Sequence, residues 1–159
     1  RNLLGRLVAR IMPDPTTAPY ELTNTWFRDN AQPFWERLIP ELDIGVALEV
    51  GSYEGASACF LVDHVADRAP LTLHCVDTWE GGIEHAPDGT APADMDAVEQ
   101  RFHRNVGAAI GAAAHPVDLR IHKGRSDECL VRLLADGFDT AEIADLVAFL
   151  RTLTDGYTP

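Results

Sequence analysis

Two short apolar strands, each with an acidic residue at its carboxyl end, constrain the fold of this chain more than any other feature. The first is Val46–Val50, which contains Glu49 and is followed by the turn Gly51-Ser-Tyr-Glu-Gly55. The second is Leu71–Val76, which is followed by Asp77. A strand, a glycine-containing turn into a helix, and a second strand that ends in a lone acid are typical of a nucleotide-binding α/β unit. Because both strands are continuous apolar runs, the sequence predicts a parallel sheet with helices on both faces.

The glycine spacing indicates which kind of nucleotide the turn accepts. The dinucleotide fingerprint is Gly-x-Gly-x-x-Gly, and its second glycine lets a pyrophosphate touch the backbone. Here Ser52 and Tyr53 occupy that part of the turn. The spacing therefore disfavours a nicotinamide-dependent oxidoreductase and favours a nucleoside ligand without phosphate, which points to S-adenosylmethionine.

The same stretches resemble a known family. Leu48-Glu-Val-Gly-Ser-Tyr-Glu-Gly-Ala-Ser57, followed by Cys75-Val-Asp-Thr-Trp-Glu-Gly-Gly82, resembles class I S-adenosylmethionine-dependent methyltransferases of the small-molecule O-methyltransferase kind. The resemblance covers roughly residues 26–139. It implies a Rossmann-like sheet, S-adenosylmethionine as cofactor, and methyl transfer to a small-molecule acceptor through a hydroxyl group. We predict no divalent metal in this chain.

The resemblance also implies roles for individual positions. It places Glu49 close to the methionine part of the cofactor and implies that Asp77 binds the ribose hydroxyls. The segment after the third strand lies near the adenine in such proteins, which makes Ser126 a candidate there; a simple helix N-cap is the alternative. The cofactor-binding residues predicted in this way are Glu49, Gly51, Ser52, Tyr53, Gly55, Asp77, Thr78, Trp79 and Ser126.

Methyl transfer needs no protein nucleophile, but it needs a group that removes one proton from the acceptor. His85 is the candidate catalytic residue, because it lies in the Gly-, Pro- and Asp-rich segment 78–94 that follows the second strand. Open α/β sheets bind ligands at that end of their strands. A solvated loop histidine is the alternative. No two of the six histidines are four residues apart, so the sequence does not predict a histidine metal site.

The chain divides into three predicted segments. Residues 1–25 form an amphipathic helix and a proline-rich linker, 26–139 the cofactor-binding domain, and 140–159 a C-terminal amphipathic helix. The domain has further helices over about 55–67 and 95–106, a third strand over 117–122, and a helix from Ser126 to Gly137. A helix capped by Asn24 or Thr25 opens the domain, and its aromatic residues are assigned to the core: Trp26, Phe27, Phe34 and Trp35.

After Asp139 the sequence of this chain departs from the family pattern. It would continue into a fourth buried strand, whereas Asp139-Thr-Ala-Glu142 is a capping box that opens an amphipathic helix. This helix resembles the C-terminal helix of c-type cytochromes, although the chain has no Cys-x-x-Cys-His for haem attachment. We therefore predict an incomplete sheet of about three strands, with an uncovered edge that favours self-association unless this helix covers it. The alternative function is an inactive S-adenosylmethionine-binding or interaction module.

Charge and composition exclude several classes of partner. With 13 basic and 25 acidic residues the net charge is −12, which argues against nucleic acid and anionic membrane surfaces. No apolar run is long enough for a membrane span and no signal peptide is evident, so the sequence predicts a cytoplasmic protein. The three cysteines are predicted to be buried small hydrophobic residues: Cys59, Cys75 and Cys129.

Overall fold

The structure, a computed structural model, describes residues 20–138. Its centre is a parallel sheet in the order β1-β2-β3, formed by Val46–Val50 (β1), Leu71–Asp77 (β2) and Val117–Lys123 (β3). The α-helices of this part of the chain are Trp26–Asn30 (α1), Gln32–Leu38 (α2), Ala56–Val65 (α3), Met95–Ala112 (α4) and Ser126–Ala135 (α5). Short 3-10 helices span Ile39–Glu41 and Ile83–His85. This Rossmann-like arrangement confirms the predicted fold class.

All three strands end at the same edge of the sheet. Val50 of β1 pairs with Val76 of β2, and Asp77 of β2 pairs with Lys123 of β3. The Gly51 N–H donates to the Val76 carbonyl at 2.8 Å, which continues the register one residue beyond β1. The turns after the strands therefore lie side by side, at the edge where open α/β sheets bind ligands.

Helices α3 and α4 cover one face of the sheet. The connections from β1 to β2 and from β2 to β3 step in the same direction, which puts their helices on the same side. Full burial of one large apolar side chain contributes about 1.5–3 kcal/mol to stability. The centre of this core is fully buried, and its large members are Val62, Leu71, Leu73, Val98, Phe102 and Val106.

Helix α5 covers the opposite face. Its Cys129 and Leu133 side chains pack with Leu48 of β1 and Val76 of β2 in a second, smaller core. The expectation of helices on both faces is thereby confirmed.

The three cysteines are free and buried, as the sequence predicts. Cys59 lies in α3, Cys75 in β2 and Cys129 in α5. Burial raises the pKa of the Cys59 and Cys75 thiols. Both therefore stay protonated at neutral pH and act as small apolar side chains.

Within residues 20–138, β1 pairs with β2 and has no second neighbour. Its Val46 and Val50 side chains are 39% and 38% exposed. This part of the chain thus has the uncovered edge that the sequence predicts. The helices predicted over 1–12 and 140–159 lie outside the described residues, so self-association and covering of the edge stay predictions.

Helix α4 is longer than predicted. It continues past Val106 to Ala112, because Ala109 is buried in the core and Ile110 packs against it, which outweighs the two glycines of this segment. Asp94 caps its start by accepting the Ala97 N–H through its side chain. No helix within residues 20–138 is long and apolar enough to cross a membrane.

Two histidines form a pair on the sheet face that α5 covers. His74 of β2 and His122 of β3 have parallel rings 5.1 Å apart, and His74 Nδ1 lies 3.0 Å from His122 Nε2. The ring of Phe138 contacts His74 edge-on at 5.0 Å, and His74 is 3% exposed. Burial lowers the pKa of both imidazoles, and the Arg120 guanidinium lowers each pKa further.

The histidine pair predicts a loss of stability in mild acid. Because both pKa values lie below the unfolded value of about 6.5, the unfolded chain binds more protons as the pH falls through that value. The pair should therefore contribute a decrease in the free energy of unfolding below about pH 6.5, against the opposite contribution of Glu49, whose raised pKa makes stability fall as the pH rises. His122→Gln should flatten this decrease, because it removes one titrating group. Urea denaturation between about pH 4.5 and 7.5 measures the profile.

The matched control for this experiment is His115→Gln, which replaces an exposed histidine. It should keep the pH profile of the unsubstituted chain. A profile that is equally steep in the His122 and His115 variants would contradict the assignment of the acid sensitivity to this pair.

Candidate functional site

The carboxylate of Asp77 joins the turns that follow β1 and β2. Its Oδ2 accepts the backbone N–H of Tyr53 and its Oδ1 accepts the backbone N–H of Trp79, each at 2.8 Å. The indole N–H of Trp79 in turn donates to the Tyr53 carbonyl at 2.9 Å. Hydrogen bonds to a charged acceptor are stronger than those between neutral groups. These contacts therefore fix the two turns relative to each other.

Both turns contain residues in the left-handed region of backbone conformation. The φ angles are +84° at Gly51, +48° at Tyr53 and +49° at Trp79. This conformation costs about 1–2 kcal/mol for a residue with a Cβ atom. The cost falls on Tyr53 and Trp79, the residues whose N–H groups bind Asp77. The carboxylate thus offsets the strain and holds the turns in shape before any ligand binds.

A cavity of about 190 Å³ opens beside the first turn. Pockets that enclose a whole small molecule have volumes from about 300 Å³ upward, so this cavity suits one arm of a larger ligand. Its inner wall includes Gly51, Ser52 and Ser57, and its outer wall includes Leu22, Asn24 and Trp26.

Glu49 is buried behind the inner wall of the cavity. Its Oε1 accepts a hydrogen bond from the hydroxyl of Ser57. Its Oε2 and the hydroxyl oxygen of Ser52, both buried, make no hydrogen bond of good geometry, although the Ser52 hydroxyl and the Cys75 thiol lie near the carboxyl. Burial raises the pKa of the Glu49 carboxyl, an effect that the neighbouring serine hydroxyls partly offset. Because buried polar atoms are nearly always satisfied, these two atoms point to a ligand that brings N–H or cationic groups.

A buried ion pair fastens the outer wall of the cavity to α4. The carboxylate of Glu54, 1% exposed, accepts the Nε–H of Arg101 at 2.6 Å and the N–H and hydroxyl of Thr23 at 2.7 Å each. Asn105 accepts the Glu21 N–H at 2.9 Å, and its amide group donates to the Glu21 and Glu54 carbonyls. Loss of one partner from such a buried pair costs about 3–5 kcal/mol.

A cluster of aromatic rings lies beside the cavity. The rings of Trp26 and Tyr53 are 5.4 Å apart, and His85 lies 5.2 Å from Tyr53 and 5.9 Å from Trp26. His85 thus contacts two residues of the cavity wall. The structure therefore brings the predicted catalytic residue to the predicted cofactor turn.

The hydrogen bonds of His85 select one neutral form of its ring. Its Nδ1 lies 3.1 Å from the Ala91 carbonyl, which can only accept, so Nδ1 carries the proton. The other nitrogen, Nε2, then has a free lone pair. It lies 3.5 Å from an oxygen of Glu84.

The assignment of the aromatic stripe to the core is correct in part. Trp35 is buried, and Phe27 packs against it edge-on. Trp26 and Phe34, however, are 48% and 39% exposed. The sequence prediction was wrong for these two because α1 ends at Asn30, so the stripe is not one continuous helical face.

Ser126 is not the N-cap that the sequence suggested. It is the first residue of α5, the N-cap position belongs to Arg125, and no side chain caps this helix. Ser126 is exposed at the carboxyl edge of the sheet, so its contact with adenine stays a prediction. Thr78 has a local role, because its hydroxyl accepts the Glu80 N–H at 3.1 Å.

Sequence reasoning missed the polar network around Glu54. The one available signal was a charged residue inside a turn that enters a buried helix, since such a charge requires a partner. Its partner, Arg101, lies in α4 and is remote in sequence, so spacing could not identify it. No group of three or more potential metal ligands occurs within residues 20–138.

Comparison with known protein families agrees with this geometry. Residues 48–155 match a family described as a methyltransferase domain. The match extends past Asp139, so it does not confirm a departure from the family pattern at that point. No curated protein and no solved structure matches the chain.

The geometry of Asp77 predicts a stability defect in Asp77→Asn. The amide keeps one acceptor oxygen and presents N–H groups to the second backbone donor, so one buried hydrogen bond is lost. The free energy of unfolding should fall by about 1–3 kcal/mol. Asp118→Asn, at an exposed pair with Arg120, is the control and should cost less than about 1 kcal/mol. Equal stability of the two variants in urea denaturation would exclude the structural role of Asp77.

The two glycines of the first turn should differ in their tolerance of a side chain. A Cβ at Gly55, where φ is +83°, would lie 2.9 Å from Val106 Cγ2 and 3.1 Å from Phe102 Cδ2. A Cβ at Gly51 would have no atom within 4 Å. Gly51→Ala should therefore cost only the backbone strain of about 1–2 kcal/mol, whereas overpacking adds about 1–3 kcal/mol in Gly55→Ala.

Thermal unfolding of both glycine variants measures this difference. A Gly51 variant as unstable as the Gly55 variant would contradict the open space that the structure has beside Gly51.

Proposed function

The chain belongs to the methyltransferase-domain family, and we propose that it transfers a methyl group from S-adenosylmethionine to a hydroxyl group of a small-molecule acceptor. The observation that supports this best is the buried Glu49 carboxylate with its unsatisfied Oε2, next to the unsatisfied hydroxyl of Ser52. Ser52 lines the cavity beside the glycine turn, and Glu49 lies behind that wall, bonded to Ser57. An arm that ends in an ammonium group fits this cavity in size, and its positive charge would counter the burial that raises the pKa of the Glu49 carboxyl.

The residues present fit the methionine and ribose parts of the cofactor. Glu49 and Ser52 would receive the ammonium group, and Gly51 leaves room for the arm because nothing fills the space of its missing side chain. Asp77 would accept hydrogen bonds from the ribose hydroxyls. Each of its oxygens already accepts one backbone N–H, but a carboxylate oxygen has a second lone pair for a further hydrogen bond.

When bound, S-adenosylmethionine supplies a methyl group on a positively charged sulfur. The hydrogen bonds of Asp77 fix the two turns relative to each other, so little ordering is left for the moment of binding. His85 removes the proton of the acceptor hydroxyl through Nε2. The Glu84 carboxylate lies 3.5 Å from this nitrogen. The remaining rate acceleration comes from the orientation of the two reactants, as expected for a reaction that needs no protein nucleophile.

Calorimetry with S-adenosylmethionine and S-adenosylhomocysteine tests the proposal. Both ligands should bind, and Glu49→Gln should weaken binding by about 1.5–3 kcal/mol, the contribution of a hydrogen bond to a charged group. Glu36→Gln, on the exposed surface of α2, is the matched control and should bind as the unsubstituted chain does. Failure of the unsubstituted chain to bind either ligand would refute the proposal.

Transfer of a labelled methyl group separates an enzyme from an inactive binding module. Turnover should fall about 10²- to 10⁴-fold in His85→Gln while cofactor affinity is retained. Binding of the cofactor without transfer to any hydroxylated acceptor would instead support the inactive module.

A further inference from the structure

Glu54 has a fixed place in the glycine turn. On one side of it, the Tyr53 N–H binds the Asp77 carboxylate at 2.8 Å. On the other side, the backbone of Gly55 runs so close to α4 that a Cβ there would lie 2.9 Å from Val106 Cγ2. The backbone of Glu54 therefore has little freedom to move within the turn.

The carboxylate of Glu54 extends from this turn to the outer wall of the cavity. Its Oε2 accepts the N–H of Thr23 and its Oε1 accepts the Thr23 hydroxyl, each at 2.7 Å. Arg101 of α4 donates to the same Oε1 at 2.6 Å. The Glu54 side chain is 1% exposed, so water competes little for these bonds.

Between two apolar anchors, the outer wall is attached by polar contacts. Tyr20 and Phe27, at either end of the segment, pack against the core. Leu22 between them is 38% exposed, so its burial contributes little to the attachment. The position of residues 21–24 therefore depends on their hydrogen bonds.

The residues that line the cavity alternate with a residue that holds the wall. Leu22 and Asn24 line the cavity. Thr23 between them bonds to Glu54 through both of its donors. Movement of Thr23 away from Glu54 would carry both lining residues with it.

Stability of the fold does not require a charge at this position. Apolar side chains of the same size often replace a buried ion pair without loss of stability. A carboxylate differs from them because its two oxygens accept several hydrogen bonds at once. The pair of Glu54 and Arg101 is therefore better explained by the position that it gives to the wall.

From these observations we propose that Glu54 is a positioning residue for S-adenosylmethionine: its carboxylate holds the outer wall in the place where that wall contacts the arm of the cofactor. This inference rests on the proposed function. In this role Glu54 takes part in no proton transfer and no bond change. A wall that is ordered beforehand lowers the ordering cost of binding, so the expected effect is on cofactor affinity.

Calorimetry with S-adenosylhomocysteine on the full chain tests the proposal. Thr23→Val keeps the size of the side chain but removes its hydroxyl donor, and Glu54→Gln presents an amide N–H group where the Thr23 N–H needs an acceptor. Each should raise the dissociation constant about three- to tenfold, because the wall loses a hydrogen bond to a charged group. Thr23→Ser restores the hydroxyl and should bind within about twofold of the unsubstituted chain.

Two controls separate positioning from general stability. Thr25→Val removes a hydroxyl that bonds to Asp29 in the same segment, and it should leave the dissociation constant unchanged. Leu133→Ala truncates a buried side chain of the second core, on the opposite face of the sheet. It should lower the unfolding temperature at least as much as Thr23→Val does, while cofactor affinity is retained.

The outcomes separate this inference from the proposed function. Normal binding by the unsubstituted chain, with unchanged affinity in both Thr23→Val and Glu54→Gln, would overturn the positioning role and leave the proposed function standing. An equal loss of affinity in Leu133→Ala and Thr23→Val would also overturn it, because general stability would then explain the effect. If Glu54→Gln does not fold, Thr23→Val and Thr23→Ser decide the question. A chain that binds no cofactor would remove the proposed function and this inference with it.

Discussion

The site depends on one carboxylate that satisfies two backbone donors from different turns. Asp77 ends β2, so the sheet sets its position. Its two oxygens accept the N–H groups of Tyr53 and Trp79 and so fix both turns relative to the sheet. Both turns need left-handed residues, which are unfavourable by themselves. The buried sheet therefore determines the shape of an exposed ligand-binding edge through a single side chain.

The sequence was sufficient for features that depend on local pattern. The strands were predicted to within one residue because buried parallel strands are continuous apolar runs, and Glu49 and Asp77 were placed because strand ends are readable from such runs. Features that depend on distant partners were not predictable. The pairing of Glu54 with Arg101 and the approach of His85 to Trp26 join elements whose relative position only the folded core defines.

The position of Trp26 shows why an aromatic pattern alone is ambiguous. A helical stripe of aromatic residues predicts burial, and Trp35 and Phe27 conform to it. Trp26 and Phe27 are consecutive in α1, so their side chains point in different directions, Phe27 to the core at Trp35 and Phe60 and Trp26 to the cavity. One position along a helix thus separates an aromatic residue that stabilises the fold from one that lines the cavity.

The fastening of the N-terminal segment has a consequence for kinetics. Glu21 and Thr23, which alternate along the chain with the outer-wall residues Leu22 and Asn24, are held by Asn105 and Glu54, both of which are buried. Moving this wall away from α4 requires the polar network to open, which is a local unfolding event with its own free energy. Amide protons of residues 21–24 would then exchange with solvent at the rate at which this network opens, and a ligand bound against the wall would slow that exchange.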